Sequence, residues 1–88
     1  MTNNEQNELR KIIDRFFFES DLTIESDNNE WKIASGGYDL VAEIYHNNIP
    51  VCGIIYAIEG YEVEDYQENS DIVKIVTDTL KSENIKCI

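Results

Sequence analysis

Carboxylates and tyrosines crowd one stretch of this 88-residue chain, Glu59-Gly60-Tyr61-Glu62-Val63-Glu64-Asp65-Tyr66-Gln67-Glu68-Asn69-Ser70-Asp71. Carboxylates can work in pairs as acid and base, hold hard cations, or pair with lysine and arginine on a partner. Pairs suited to glycosidase or nuclease chemistry are available among so many acids, but any acidic surface supplies such pairs. A calcium loop follows D-x-[DN]-x-[DN]-G with a closing glutamate, and Glu59-Gly60-Tyr61-Glu62 departs from that pattern. Opportunistic binding of a divalent ion is the most the stretch offers. His46, the single histidine, stands beside Asn47-Asn48 and reads as a hairpin-end residue. Cys52 is expected opposite Glu43 with no cation to lower its pKa, hence as an unreactive thiol. Gly36-Gly37 reads as a hairpin turn, not a phosphate cradle, because no parallel βαβ unit surrounds it. The expectation is no enzyme, no catalytic residues, no metal and no cofactor.

Binding is the chemistry that remains. From Ile33 to Val73 there is no lysine or arginine, and the formal net charge is -11. Phosphates need basic side chains, so direct nucleic-acid binding is disfavoured and a basic protein partner is implied. The expected contact residues are Glu59, Tyr61, Glu62, Glu64, Asp65, Tyr66, Glu68 and Asp71 in the acidic stretch, taken as a loop. Asp39, Glu43, Tyr45 and Tyr56 join them from the preceding hairpin. Tyrosine suits such a role because its ring buries a large area at low entropic cost and stacks on guanidinium groups. The competing reading is a solvated loop whose tyrosines tuck onto the sheet.

The elements that must position these groups are legible in the apolar periodicity. Leu9, Ile12, Ile13, Phe16 and Phe17 recur with helical spacing over residues 3–18, and Thr2 with Glu5 forms a capping box. Phe18 falls opposite the apolar face; it is either exposed or packed beneath the next connection, and the adjacent Ser20-Asp21 favours packing. Leu22 and Ile24 mark a short strand ending at Asp27-Asn28-Asn29. A strand over residues 30–35, the Gly36-Gly37 turn, a strand over 38–46, the Asn47-Asn48 turn and a strand over 49–58 follow. Ser70 reads as the N-cap of a helix from Asp71 to about Ser82, buried through Ile72, Val73, Ile75, Val76 and Leu80. The tail from Asn84 is either frayed or an added edge strand.

Counting outward from two-residue turns sets Ile44 against Val51, Ala42 against Gly53, Leu40 against Ile55 and Ile33 against Leu40. One face then collects Trp31, Ile33, Leu40, Ala42, Ile44, Val51, Gly53 and Ile55 as the floor of the core. The other collects Glu30, Lys32, Ala34, Asp39, Val41, Glu43, Tyr45, Cys52, Ile54, Tyr56 and Ile58, an open strip of tyrosine and isoleucine edged with carboxylates. The fold expected is a single α+β domain over 1–88, a two-layer sandwich. Its antiparallel meander sheet has three to four strands, with an N-terminal and a C-terminal helix on one face (αββββα). No apolar run approaches a membrane span or secretory signal, and the two cysteines make no disulfide framework, so a cytoplasmic location is expected.

The size, the charge, the helix-meander-helix order and the stretch EGYEVEDYQENSD resemble the small phage-borne inhibitors of bacterial defence and repair enzymes. Among these are the acidic Cas9-inhibiting anti-CRISPR proteins and the uracil-DNA glycosylase inhibitors. Thr79-Leu80-Lys81-Ser82-Glu83 looks like the C-terminal stretch of some Listeria-type anti-CRISPRs. The resemblance implies a DNA mimic that occupies a basic groove of a nucleic-acid-handling enzyme such as a CRISPR effector in the bacterial cytoplasm; the chain itself is expected as a monomer or a homodimer. The alternatives are an immunity or antitoxin-like protein that plugs a basic toxin, and a homodimeric regulatory domain burying Val41, Ile54, Tyr56 and Ile58.

Overall fold

A computed structural model describes residues 2–18, 24–25 and 30–88. Helix α1 spans Asn3–Phe18, and strands β1 Ile24–Glu25, β2 Trp31–Ser35, β3 Leu40–His46, β4 Ile49–Ala57 and β5 Gly60–Asp65 precede helix α2, Ser70–Ser82. The strands form one antiparallel meander in the order β1-β2-β3-β4-β5, and both helices pack on the same face. The α+β architecture is the expected one. The sheet gains a strand over the expected count because Gly60–Asp65, read as loop, is a full strand paired to β4 through Ala57↔Gly60, Ile55↔Glu62 and Gly53↔Glu64. Leu22, Thr23 and the turn at 27–29 lie outside the described residues.

The helix ends follow local chemistry. Thr2 Oγ1 accepts the Glu5 N–H at 3.1 Å, half of the expected capping box. Helix α2 is capped by Asn69 rather than Ser70, its side chain accepting the Asp71 N–H at 3.2 Å. At the other end Asn84 turns left-handed (φ 63), while Asn84 N–H reaches Lys81 O and Ile85 N–H reaches Leu80 O, each at 3.0 Å. That Schellman closure turns the tail back along the sheet. The tail pairs with β5 at one parallel bridge, Tyr61↔Cys87: Tyr61 N–H donates to Lys86 O and Ile88 N–H to Tyr61 O, both 2.8 Å.

Leu9, Ile12, Ile13 and Phe16 of α1 and Ile72, Ile75, Val76 and Leu80 of α2 bury against Trp31, Ile33, Ala42, Ile44, Cys52 and Ile54 of the sheet. Phe17 packs at the edge of this core, but Phe18 is 87% exposed instead of tucked beneath the connection. The Asn47-Asn48 turn forms as expected, both residues left-handed (φ 52 and 66) and flanked by His46↔Ile49. Gly36-Gly37 does not make a two-residue turn. The link is the four residues Gly36–Asp39, with Tyr38 at φ 53, and it aligns Ile33 with Ile44 instead of Leu40.

The β3–β4 register departs from simple counting twice. Pairing shifts between Tyr45↔Pro50 and Ile44↔Cys52, where Val51 is the extra residue, and shifts back between Ala42↔Ile54 and Leu40↔Ile55, where Val41 is extra. A one-residue slip exchanges the two faces of a strand, so between these bulges β4 is inverted relative to the expected face. Cys52 and Ile54 enter the core at 0% exposure, and Gly53 turns to the helix-free face, where Leu40 Cδ1 lies 3.3 Å from the place a Cβ on Gly53 would take. Burying Ile54 stabilises by about 1.5–3 kcal/mol, whereas a glycine facing the core would contribute no apolar side chain there. Cys52 therefore pairs with Ile44 and Asp65, not Glu43.

Candidate functional site: a carboxylate and tyrosine face

Gly53 is the centre of the helix-free face. The pairings Ala34↔Glu43, Glu43↔Gly53 and Gly53↔Glu64 align these residues in one row across four strands, and Ile55↔Glu62 begins the next. Glu62 and Glu64 are exposed while Tyr61 and Val63, alternating with them, pack toward the core, the period-two pattern of a strand with one buried side. Their Cα atoms lie about 7 Å apart along β5, and Glu43 and Glu64 roughly 10 Å apart across β4.

Tyr66 completes the site. Its backbone N–H donates to Val51 O at 3.0 Å, extending β5 by one step and delivering the ring to the same face as Glu62 and Glu64. The ring lies over Gly53, its hydroxyl in the space that a Cβ at position 53 would need. Burial, a hydrogen bond to Glu43, and the charges of Glu43 and Glu64 push its phenol up to about 12. Deprotonation would add a negative charge among carboxylates, so the ring stays neutral and donates to Glu43. Tyr45 stands two rows away on β3, beside Lys32, Ala34 and Asn48.

The expected contact residues thus divide by place. Glu43, Tyr45, Glu62, Glu64 and Tyr66 share the helix-free face, so three residues of the acidic stretch belong to the outer sheet face and the others do not. Asp39, Tyr56 and Glu59 meet at the end formed by the β2–β3 loop and the β4–β5 turn. Tyr61 faces the other way, edge-on to Phe17 at 6.4 Å and to Tyr56 at 5.4 Å. Asp65 is spent locally: its Oδ1 accepts from Gln67 N at 3.1 Å and Asn69 N at 3.0 Å, which orders the turn into α2. Glu68 (φ 52) is exposed in that turn, and Asp71 is exposed in the first turn of α2. The expected strip of Val41, Ile54, Tyr56 and Ile58 does not exist as a surface, since Ile54 is buried and Val41 packs against the core.

Gly53 is among the residues that sequence reasoning misplaced. A lone glycine within an apolar strand signals close approach by another group, and Tyr66 is that group. Burial, with the Asp65 charge adding to it, pushes the Cys52 thiol up to about 12, which makes it inert. His46 stacks on Trp31 (4.2 Å between ring centroids), with Nε2 2.7 Å from Glu30 Oε1. Among the described residues no three His, Cys, Asp or Glu side chains cluster to hold a metal, and no helix is long and apolar enough to cross a membrane.

What the face can do is receive cations. A guanidinium set on the Tyr66 ring would meet the Glu43 and Glu64 carboxylates on either side, combining cation–π contact with charge-assisted hydrogen bonds. Comparison with protein-family models, with curated proteins and with solved structures finds no match to this chain.

Proposed function

We propose that this chain is a non-enzymatic inhibitor that blocks a basic, nucleic-acid-binding groove of a partner protein by presenting carboxylates where the groove expects phosphates. The observation that carries the reading is the placement of Glu43 and Glu64 about Tyr66, with Glu62 one row on, on a sheet face covered by neither helix. Regularly spaced carboxylates on a rigid strand offer lysine and arginine side chains a row of anions, much as a phosphate backbone does. The net charge of -11 would accelerate encounter with a basic target and make affinity fall with salt. The partner class is a nucleic-acid-handling enzyme, a CRISPR effector among them, and the site of action a bacterial cytoplasm.

The reading is tested by capture from bacterial lysate at low and high salt, with wild type beside a Glu43→Lys/Glu62→Lys/Glu64→Lys variant. The captured protein is identified and its DNA binding measured with and without the chain. A nucleic-acid-binding protein held only by wild type, released by salt and displaced from DNA is the expected result. Retention by the charge-reversed variant, or undisturbed DNA binding by the captured protein, would refute it.

A further inference from the structure

Large apolar side chains gather at one end of the molecule, away from the carboxylate face. Tyr38 is fully exposed, Ile58 is 98%, Ile88 65% and Tyr56 52% exposed. The end is a built junction of three segments. Tyr56 N–H donates to Asp39 O at 2.8 Å, which ties β4 to the β2–β3 loop, and the tail is hydrogen-bonded to Tyr61. Asp39, Tyr56, Ala57, Ile58, Glu59 and Ile88 line one shallow groove there, while Tyr38 borders a second beside Phe17 and Tyr61.

A left-handed turn and two exposed rings accompany these side chains. Tyr38 sits at φ 53, a conformation that costs an L side chain energy, although Gly37 stands next to it. Tyr38 leaves its whole ring in water and Tyr56 about half of its own, a large apolar area for so small a molecule.

Charge decides what fits. Asp39 and Glu59 flank the groove, and the tail contributes Lys86 beside Gly60. A second copy would bring the same two carboxylates and a further -11 against its mate, and an anionic membrane would be repelled in the same way. The complement is an aliphatic side chain with lysine or arginine next to it.

We propose that this end is a second docking site, for a protein segment that presents aliphatic side chains flanked by lysine or arginine. It stands independently of the reading of the carboxylate face. The experiment titrates isotope-labelled protein with three synthetic peptides and follows backbone amide shifts. The first is an amphipathic leucine-lysine helix, the second its leucine-glutamate counterpart, and the third a glycine-lysine peptide of equal charge. The leucine-lysine peptide binds, shifting Tyr38, Tyr56 and Ile58, and a Tyr38→Ser/Ile58→Ser variant binds it at least tenfold more weakly. A Glu43→Gln/Glu62→Gln/Glu64→Gln variant retains binding at this end. The proposal is overturned by shifts confined to Glu43, Glu62 and Glu64, or by equal binding of either control peptide. Concentration-dependent shifts at Tyr38 and Ile58 without peptide would assign the end to a second copy, and equal partitioning onto phosphatidylcholine vesicles to a lipid surface; either overturns it.

Discussion

Substituting Gly53 by alanine probes the centre of the carboxylate face. A Cβ at this position would occupy the space of the Tyr66 hydroxyl and lie 3.3 Å from Leu40 Cδ1. The ring is the freer of the two neighbours, so it lifts from the sheet. Lifting it exposes the phenol, breaks its hydrogen bond to Glu43 and moves it away from the Glu43 and Glu64 charges, which are the causes that hold its pKa near 12. The phenol of Gly53→Ala therefore titrates closer to its ordinary value of 10. The sign for stability follows from the raised pKa in the fold. Tyr66 contributes stability that is fully present below pH 10 and is lost as pH rises from there through about 12. Discounted for the solvent that reaches a partly exposed ring, that contribution is about 1 kcal/mol. Removing glycine from a strand returns about 0.5–1 kcal/mol, so the variant stays folded with nearly unchanged stability at neutral pH. The assay is tyrosinate absorbance against pH, with a Tyr66→Phe protein subtracted so that the other tyrosines cancel, beside urea unfolding at neutral pH. A Tyr66 titration that stays near 12 in Gly53→Ala would refute the placement of the ring over Gly53.

Three further outcomes test the register, the thiols and the strained turn. Ile54→Ala costs about 2–5 kcal/mol in urea unfolding, because the side chain is fully buried, while Ile58→Ala stays within about 0.5 kcal/mol. Equal small effects would restore the face assignment that simple counting predicts. Cys52, pushed up to about 12, holds only about one part in ten thousand of thiolate at pH 8, so a disulfide reagent modifies Cys87 first and Cys52 on unfolding. Equal rates at the two thiols in native protein would contradict the burial of Cys52. Tyr38→Gly relieves a left-handed φ of 53 and leaves stability unchanged or higher by up to about 1 kcal/mol, a net of strain relief against the entropy glycine adds to the unfolded chain. A loss beyond 1 kcal/mol in urea unfolding would show that the exposed ring supports the fold.

Much of the frame was legible in the amino-acid sequence, because it depends on local rules. The apolar stripe from Leu9 to Phe17, the stripe from Ile72 to Leu80 and the left-handed pair Asn47-Asn48 state their own conformations through spacing and turn chemistry. The absence of lysine and arginine between Ile33 and Val73 marked the acidic surface for the same reason.

Three things were decided only by tertiary structure. Gly60 to Asp65 has the glutamate and aspartate content of a loop, yet it is a strand, since the free edge of β4 offers it hydrogen bonds and Val63 and Tyr61 a core to pack on. The bulges at Val51 and Val41 leave no local signature; they pair off and bring Ile54 inward and Gly53 outward, a choice made by which side chain the core can bury. Tyr66 reaches Glu43 over Gly53 only because that inversion leaves a strand position without a side chain in its path. A sequence specifies the period of each strand, but which of its two faces is buried is a property of the packed sheet, since one added residue exchanges the faces and only the interior registers the difference.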